Sequence, residues 1–195
     1  ALGIPSGKPL ALYAPPFRKD NGLSAYDMDY ARCAKALGQR FGGEWLLLAK
    51  LHPNIAARAG ELRLDPQVVR NASDYPDIQE LYVACEALFT DYSSVMFDYM
   101  NTQKPCFLYV NDIAAYKDDR NFYFDLDRLP YPRAEDNDAL EQAVLGFDEA
   151  FQAQALERFQ AEFGITETGR AASHTADFLE ARRATLGIVN TLENR

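Results

Sequence analysis

The stretch Glu86-Ala87-Leu88-Phe89-Thr90-Asp91-Tyr92-Ser93-Ser94-Val95-Met96-Phe97-Asp98-Tyr99 joins three patterns in one line. Glu86 to Thr90 is a short, mostly apolar run bounded by turn residues, which reads as a buried strand. Asp91 to Ser94 is a turn rich in hydroxyls. Val95 to about Gln103 is apolar nearly all round and reads as a helix, stopped by Lys104-Pro105. A strand that runs through a polar turn into a helix is half of a βαβ unit, so its partners should lie on both sides in the sequence.

They do. Pro9 to Ala14 reads as a first strand, broken at Pro15-Pro16 and followed by the charged loop Arg18 to Gly22. Ser24 is a candidate N-cap for a helix to about Phe41, with Tyr26, Tyr30, Cys33, Ala34 and Leu37 on one face, and Gly42-Gly43 stops it. Glu44 to Leu51 is a second strand ended by His52-Pro53. A short polar stretch leads to a weak third strand at Gln67 to Arg70. Asp74 or Pro76 opens a helix with the stripe Ile78, Leu81, Tyr82, Cys85, and Cys106 to Val110 is the strand after Lys104-Pro105. A Phe/Tyr-rich loop covers Asn121 to Pro132, and two or three helices fill about Asn137 to Leu186. Strands and helices that alternate with short connections predict an α/β chain: a Rossmann-like parallel sheet, buried on both sides, with helices on both faces. The C-terminal helices are expected to pack across one end of the sheet.

Composition narrows the classes. The chain has 195 residues, 20 basic and 29 acidic side chains, and a net charge of −9. At about 100–200 residues per domain this is one domain, or at most a large domain with an appendage, and it is read as residues 1–195. The acidic balance argues against a nucleic-acid partner. It leaves room for a local anion site, because a few placed cations override the mean charge nearby. Cys33, Cys85 and Cys106 are odd in number and widely spaced, which fits a reducing, cytoplasmic setting. No apolar run approaches the ~20 residues that span a bilayer. The chain opens on Ala1 and soon enters a strand, which looks like a piece of something longer.

In doubly wound sheets, ligands bind beyond the carboxyl ends of the strands, at the switch point. The strand exits carry Phe17, Arg18 and Lys19, then His52 and Pro53, then Asn71 and Ser73, then Asp91, Ser93 and Ser94. Ser93 and Ser94 at a helix start suit an anion, by hydroxyl and backbone N–H groups, and equally suit plain capping. His52 can bind phosphate or move a proton, or be an ordinary rim histidine. Lys50 lies on the same strand face as His52. Arg18 suits two-point contact with phosphate, or is a solvated loop charge. Other patterns fail. Gly3-x-x-x-Gly7-Lys8 precedes its strand and lacks the P-loop spacing, and there is no G-x-G-x-x-G. Asp27-x-Asp29 and Asp125-x-Asp127 are weak metal pairs, so no metal ligand is expected.

Taken in order, Leu12-Tyr13-Ala14-Pro15-Pro16-Phe17-Arg18, Leu51-His52-Pro53, Tyr75 to Leu81 and Leu88 to Tyr99 resemble the CDP-glycerol glycerophosphotransferase family, which holds teichoic acid polymerases, primases and capsule polymerases. Lys104-Pro105 with Phe107 to Tyr109, Phe122 to Asp125 and Gly169 to Ala171 extend the resemblance over about residues 9–175. It implies a GT-B-like enzyme of two Rossmann-like halves, of which this chain resembles the C-terminal, donor-binding half, the N-terminal half being absent. It also implies transfer of glycerol-phosphate or a related polyol-phosphate from a CDP-linked donor, with CMP leaving, to a growing polymer or lipid-linked acceptor at the inner face of the cell membrane, without a cofactor. The family's base is a histidine in a His-Gly-Thr-Pro segment of the N-terminal half, and no such segment occurs here. His52 matches its second important histidine. Arg18, Ser73, Asp91, Ser93 and Ser94 match positions around the donor phosphates and ribose, and Lys50 stands where the family usually has Arg. The family usually has Thr at Pro16 and Gly at Asn121 and Tyr131. The alternatives are a UDP-sugar GT-B half or a non-catalytic nucleotide-binding module.

Overall fold

Four runs, Leu10–Tyr13 (β1), Leu46–Ala49 (β2), Ala87–Thr90 (β4) and Cys106–Tyr109 (β5), are buried at every position. Such strands must be covered on both faces, and they need parallel neighbours joined by crossover helices. A computed structural model describes residues 2–18, 22–62, 64–113, 116 and 125–186 and shows that arrangement. With Val69–Asn71 (β3) and Arg133–Ala134 (β6), the strands form a six-stranded sheet in the order β3-β2-β1-β4-β5-β6. Every pairing is parallel, with Leu12 opposite Leu48 and Leu88, and Phe89 opposite Phe107. The strand order reverses between β1 and β4, which defines the switch point.

Side chains of alternate parity serve opposite faces. Ala11, Tyr13, Leu47, Ala49, Phe89, Phe107 and Tyr109 share one buried cluster with Cys33, Ala36 and Leu37 of α1 (Tyr30–Phe41) and Leu140 and Val144 of α4 (Asn137–Leu145). Residues of the other parity, Leu12, Leu48, Leu88 and Leu108, are fully buried as well. On that side, α2 (Ile78–Ala84) touches β1 and α3 (Val95–Tyr99) touches β4. α5 (Glu149–Phe163) clamps the start of β5: Gln152 accepts from the Cys106 N–H at 3.3 Å and donates to the Lys104 carbonyl at 3.1 Å.

Carboxylate caps set the helix starts and move two of them from the expected places. Asp29, not Ser24, caps α1, accepting from the Arg32 N–H at 3.0 Å, and Ser24–Tyr26 is a separate 3-10 turn. Asp77, not Asp74 or Pro76, caps α2, accepting from the Gln79 N–H at 2.8 Å. A carboxylate that satisfies otherwise unpaired N–H groups stabilises a helix start by ~1 kcal/mol. Asp29→Ala should therefore lower chain stability by about 1 kcal/mol, read by urea unfolding. At the other end of α1, Gly42 and Gly43 both have φ near 79°, a backbone region that side chains resist. The apolar helix after Ser94 is shorter than expected: α3 ends at Tyr99 and a 3-10 turn, Met100–Thr102, completes it. The polar stretch after β2 is a 3-10 helix, Pro53–Glu61, that buries Ile55 and Ala59.

The chain divides into two compact units, Ala1–Phe159 and Gln160–Arg195. The second unit contains α6 (Ala171–Thr185), which buries no side chain. Among the described residues, no helix is long and apolar enough to cross a membrane. Lys19, Asn121 and Phe122 to Phe124, singled out from sequence, lie outside the described residues.

Candidate functional site

The residues beyond β1, β2, β3 and β4 form a continuous line of contacts along one rim of the sheet. Tyr26 ties the first two exits together: its hydroxyl donates to the Pro15 carbonyl at 3.2 Å and accepts from the His52 N–H at 3.2 Å. The His52 ring packs on Phe17, with centroids 4.6 Å apart. His52 also caps the Pro53–Glu61 helix, its Nδ1 accepting from the Asn54 N–H at 3.2 Å. A nitrogen that accepts carries no proton, so the neutral ring holds its proton on Nε2. Pro53 fixes the backbone after His52 and removes one N–H from the cap, which leaves the Asn54 N–H as the group the imidazole satisfies.

The second and third exits are tied by Ser73 and Lys50. Ser73 Oγ accepts from the Leu51 N–H at 3.1 Å and donates to Asn71 Oδ1 at 2.6 Å. Lys50 Nζ donates to the carbonyls of Ser73 at 3.3 Å and Tyr75 at 2.7 Å. Burial lowers the Lys50 pKa below its ordinary value. Its ammonium thus holds the β3–α2 turn, and an arginine fork would not seat in that ring of carbonyls in the same way.

The switch point itself is occupied by an ion cluster. Arg18 leaves β1, Asp91 ends β4, and Asp112 lies just beyond β5. Arg18 Nη2 donates to Asp91 Oδ2 at 2.6 Å, while Nε and Nη2 donate to the two Asp112 oxygens at 2.6 and 3.1 Å. Nη1 donates to the Pro16 carbonyl at 3.1 Å. The guanidinium lies 5.5 and 5.4 Å from the rings of Tyr92 and Tyr116, which stack with centroids 3.9 Å apart. The Asp91 residue is 1% exposed, and its Oδ1 has no hydrogen-bond partner among the described residues. Burial pushes the Asp91 carboxyl up to about 7, against the pull of Arg18. Burial works against the Arg18 charge too, but Asp112 and Asp91 more than offset it and hold its pKa above the ordinary value.

Ser93 is half-buried and its Oγ accepts weakly from the Val95 N–H at 3.5 Å, while Ser94 is exposed and makes no side-chain cap bond. Their hydroxyls are thus only weakly engaged in capping α3. Tyr131, where the resemblance implies glycine, is buried against α3, its hydroxyl donating to the Met96 carbonyl at 3.1 Å. Sequence reasoning misses Asp112, Tyr92, Tyr116 and Tyr26 as parts of the site. Asp112 is within reach of the strand-exit rule, since it lies beyond β5 as Asp91 lies beyond β4. Among the described residues, no group of three or more His, Cys, Asp or Glu side chains is placed to hold a metal.

The family profile for CDP-glycerol:poly(glycerophosphate) glycerophosphotransferases matches residues 1–181. The teichoic acid glycerol-phosphate transferase of Staphylococcus aureus is 34% identical over 87% of this chain. A solved single-residue variant of the wall teichoic acid polymerase TagF superposes on 95% of it with a TM-score of 0.72 at 27% identity. A different TagF variant, soaked with CDPG, superposes on 96% with a TM-score of 0.71. The fold recurs over 82% of the chain in the glycotransferase of kitacinnamycin, at 16% identity and a TM-score of 0.50. The chain spans 44% of the staphylococcal relative and 46% of the TagF chain, less than half of either. With its parallel sheet, its populated strand exits and a match over nearly its whole length, this chain belongs to the CDP-glycerol:poly(glycerophosphate) glycerophosphotransferase family.

Proposed function

We propose that this chain is the donor-binding part of a transferase that moves glycerol-phosphate, or a related polyol-phosphate, from a CDP-linked donor to a growing teichoic-acid-like or capsular polymer. The acceptor hydroxyl oxygen forms a bond to the β-phosphorus, the bond from that phosphorus to the bridging oxygen breaks, and CMP leaves with the electron pair. The nucleotide is itself the leaving group, so the reading calls for no resident cofactor. Charge on the diphosphate must be met by donors fixed in advance, which is how protein groups speed phosphoryl transfer. The observation that supports the reading is the rim of strand exits, with His52 beyond β2 and packed on Phe17, the Arg18 cluster beyond β1 and β4, and Ser93 at the start of α3. In this reading the Nε2–H of His52 donates a hydrogen bond to the diphosphate and to the charge that builds on the departing CMP oxygen. The acceptor's proton goes to a base outside this chain, in a partner half of the same enzyme. The acceptor is polymer or lipid-linked, which puts the whole enzyme at the inner face of the cell membrane.

Calorimetric titration of this chain with CDP, CDP-glycerol and UDP tests the donor assignment. CDP and CDP-glycerol should bind with Kd between about 1 μM and 1 mM, the usual range for substrates, and UDP more weakly. No heat with CDP, or a preference for UDP, overturns the reading.

A further inference from the structure

The guanidinium of Arg18 is held by two carboxylates that are not equivalent. Asp91 sits at the end of a central strand, is 1% exposed, and meets only Nη2. Asp112 has a side chain 22% exposed and covers the Nε–Nη2 edge with both of its oxygens. That two-point geometry is the one two oxygens of a phosphate would adopt on the same edge. Beyond β5, the Tyr116 N–H donates to the Asp112 carbonyl at 2.9 Å. Tyr116 in turn stacks on Tyr92, beside the guanidinium. Arg18 must cross β4 to meet Asp112, a span of roughly two strand spacings of ~4.8 Å.

We propose that Asp112 is the exchangeable occupant of the Arg18 fork: a diphosphate oxygen pair takes the Nε–Nη2 edge from Asp112, while Asp91 stays as the permanent anchor. The charges require an exchange rather than an addition. One guanidinium already faces two carboxylates, so an anion added beside them meets no net positive charge. When Asp112 gives up the edge, the incoming phosphate inherits a preformed fork, braced behind by Asp91, by the Pro16 carbonyl and by the Tyr92–Tyr116 stack. Asp112 thereby sets how tightly an anion is held, and keeps the buried Arg18 paired when none is bound. This inference rests on the proposed function, in which an anionic donor binds at this rim.

Titration with inorganic pyrophosphate separates the two ideas. Asp112→Asn should bind pyrophosphate about three- to thirtyfold more tightly than the parent chain, the scale of one charge-assisted bond removed from the competition. The same substitution in an Arg18→Gln background should bring no gain, because the effect passes through the fork. Asp74→Asn, which removes an exposed rim carboxylate away from the fork, should change binding less than twofold. Weaker or equal binding by Asp112→Asn overturns the exchange, as does a gain that survives in the Arg18→Gln background. Failure to detect pyrophosphate binding by either chain also overturns it. Asp112→Ala, with a thermal melt of each variant, guards against misfolding. A parent chain that prefers UDP to CDP would overturn the donor assignment and leave these pyrophosphate results standing.

Discussion

Replacing His52 with Ala in the full-length enzyme should lower kcat by about 10²–10⁴, the usual weight of a positioned acid or base. Its ring is fixed from three sides: Nδ1 accepts from the Asn54 N–H, the face packs on Phe17, and the backbone N–H donates to Tyr26. A group fixed in this way needs no reorganisation at the moment of reaction. Alanine also removes the cap acceptor from the Asn54 N–H, so part of any loss is local geometry. Two further variants divide the effects. His52→Asn keeps an acceptor near the Nδ1 position and should restore the cap without restoring rate. His52→Gln can present an N–H near the Nε2 position but cannot pass on a proton. If His52 only binds the diphosphate, the Gln variant should recover much of the lost kcat. If it instead acts as an imidazolium acid, giving up the Nδ1 cap bond to protonate the leaving CMP, Gln should be as slow as Ala. Single-turnover assays with the CDP-linked donor read the difference, and an unchanged rate in the Ala variant would leave His52 a structural role.

The sheet is legible in the sequence because its signals are local. Runs such as Leu46 to Ala49 and Cys106 to Tyr109 announce buried parallel strands by themselves, and proline or glycine marks their ends. The features that escape are either too short or decided by competition. β6 has two residues, Arg133 and Ala134, too few to show any period. The start of α1 is ambiguous because Ser24 and Asp29 both suit an N-cap, and only the folded chain shows that Asp29 makes the bond. The rim is legible in outline, since the residues just beyond each strand put Arg18, His52, Ser73, Asp91 and Ser93 at one edge. Their pairing is not, because it is long-range: Arg18 meets Asp91 across 73 positions and Asp112 across 94. From sequence alone Arg18 is either a phosphate contact or a solvated loop charge, while in the folded chain Asp112 and Asp91 hold its guanidinium. Lys50 differs in the same way. Its charge is visible, but the carbonyls of Ala72, Ser73 and Tyr75 that surround it come together only when the β3–α2 turn forms.

Arg18→Met in this chain should be the most destabilising single change at the rim, and its size should depend on pH. Removing one partner of a buried ion pair leaves the other charge uncompensated, which costs about 3–5 kcal/mol. Here the orphan is Asp91, 1% exposed and already lacking a partner for Oδ1 among the described residues. Its carboxyl is pushed by burial up to about 7 even with Arg18 present. A raised carboxyl pKa means that the folded chain binds the proton more tightly than the unfolded one. The group therefore costs no stability at a pH below its unfolded value of ~4, and costs progressively more as pH rises toward 7. Without Arg18 the folded pKa moves higher still, so the cost goes on growing past pH 7. At pH 5 the parent and the variant both carry a neutral Asp91 when folded, and the gap between them should shrink to about 1–2 kcal/mol, the worth of hydrogen bonds to a charged group. At pH 8 it should reach about 3–5 kcal/mol. Urea unfolding at the two pH values measures both gaps. Adding Asp91→Leu to Arg18→Met should recover most of the loss at pH 8 by replacing the orphan charge with an apolar side chain of similar size. Equal losses at pH 5 and pH 8, or no recovery in the double variant, would mean that Asp91 is not the buried anchor on which the Arg18 fork depends.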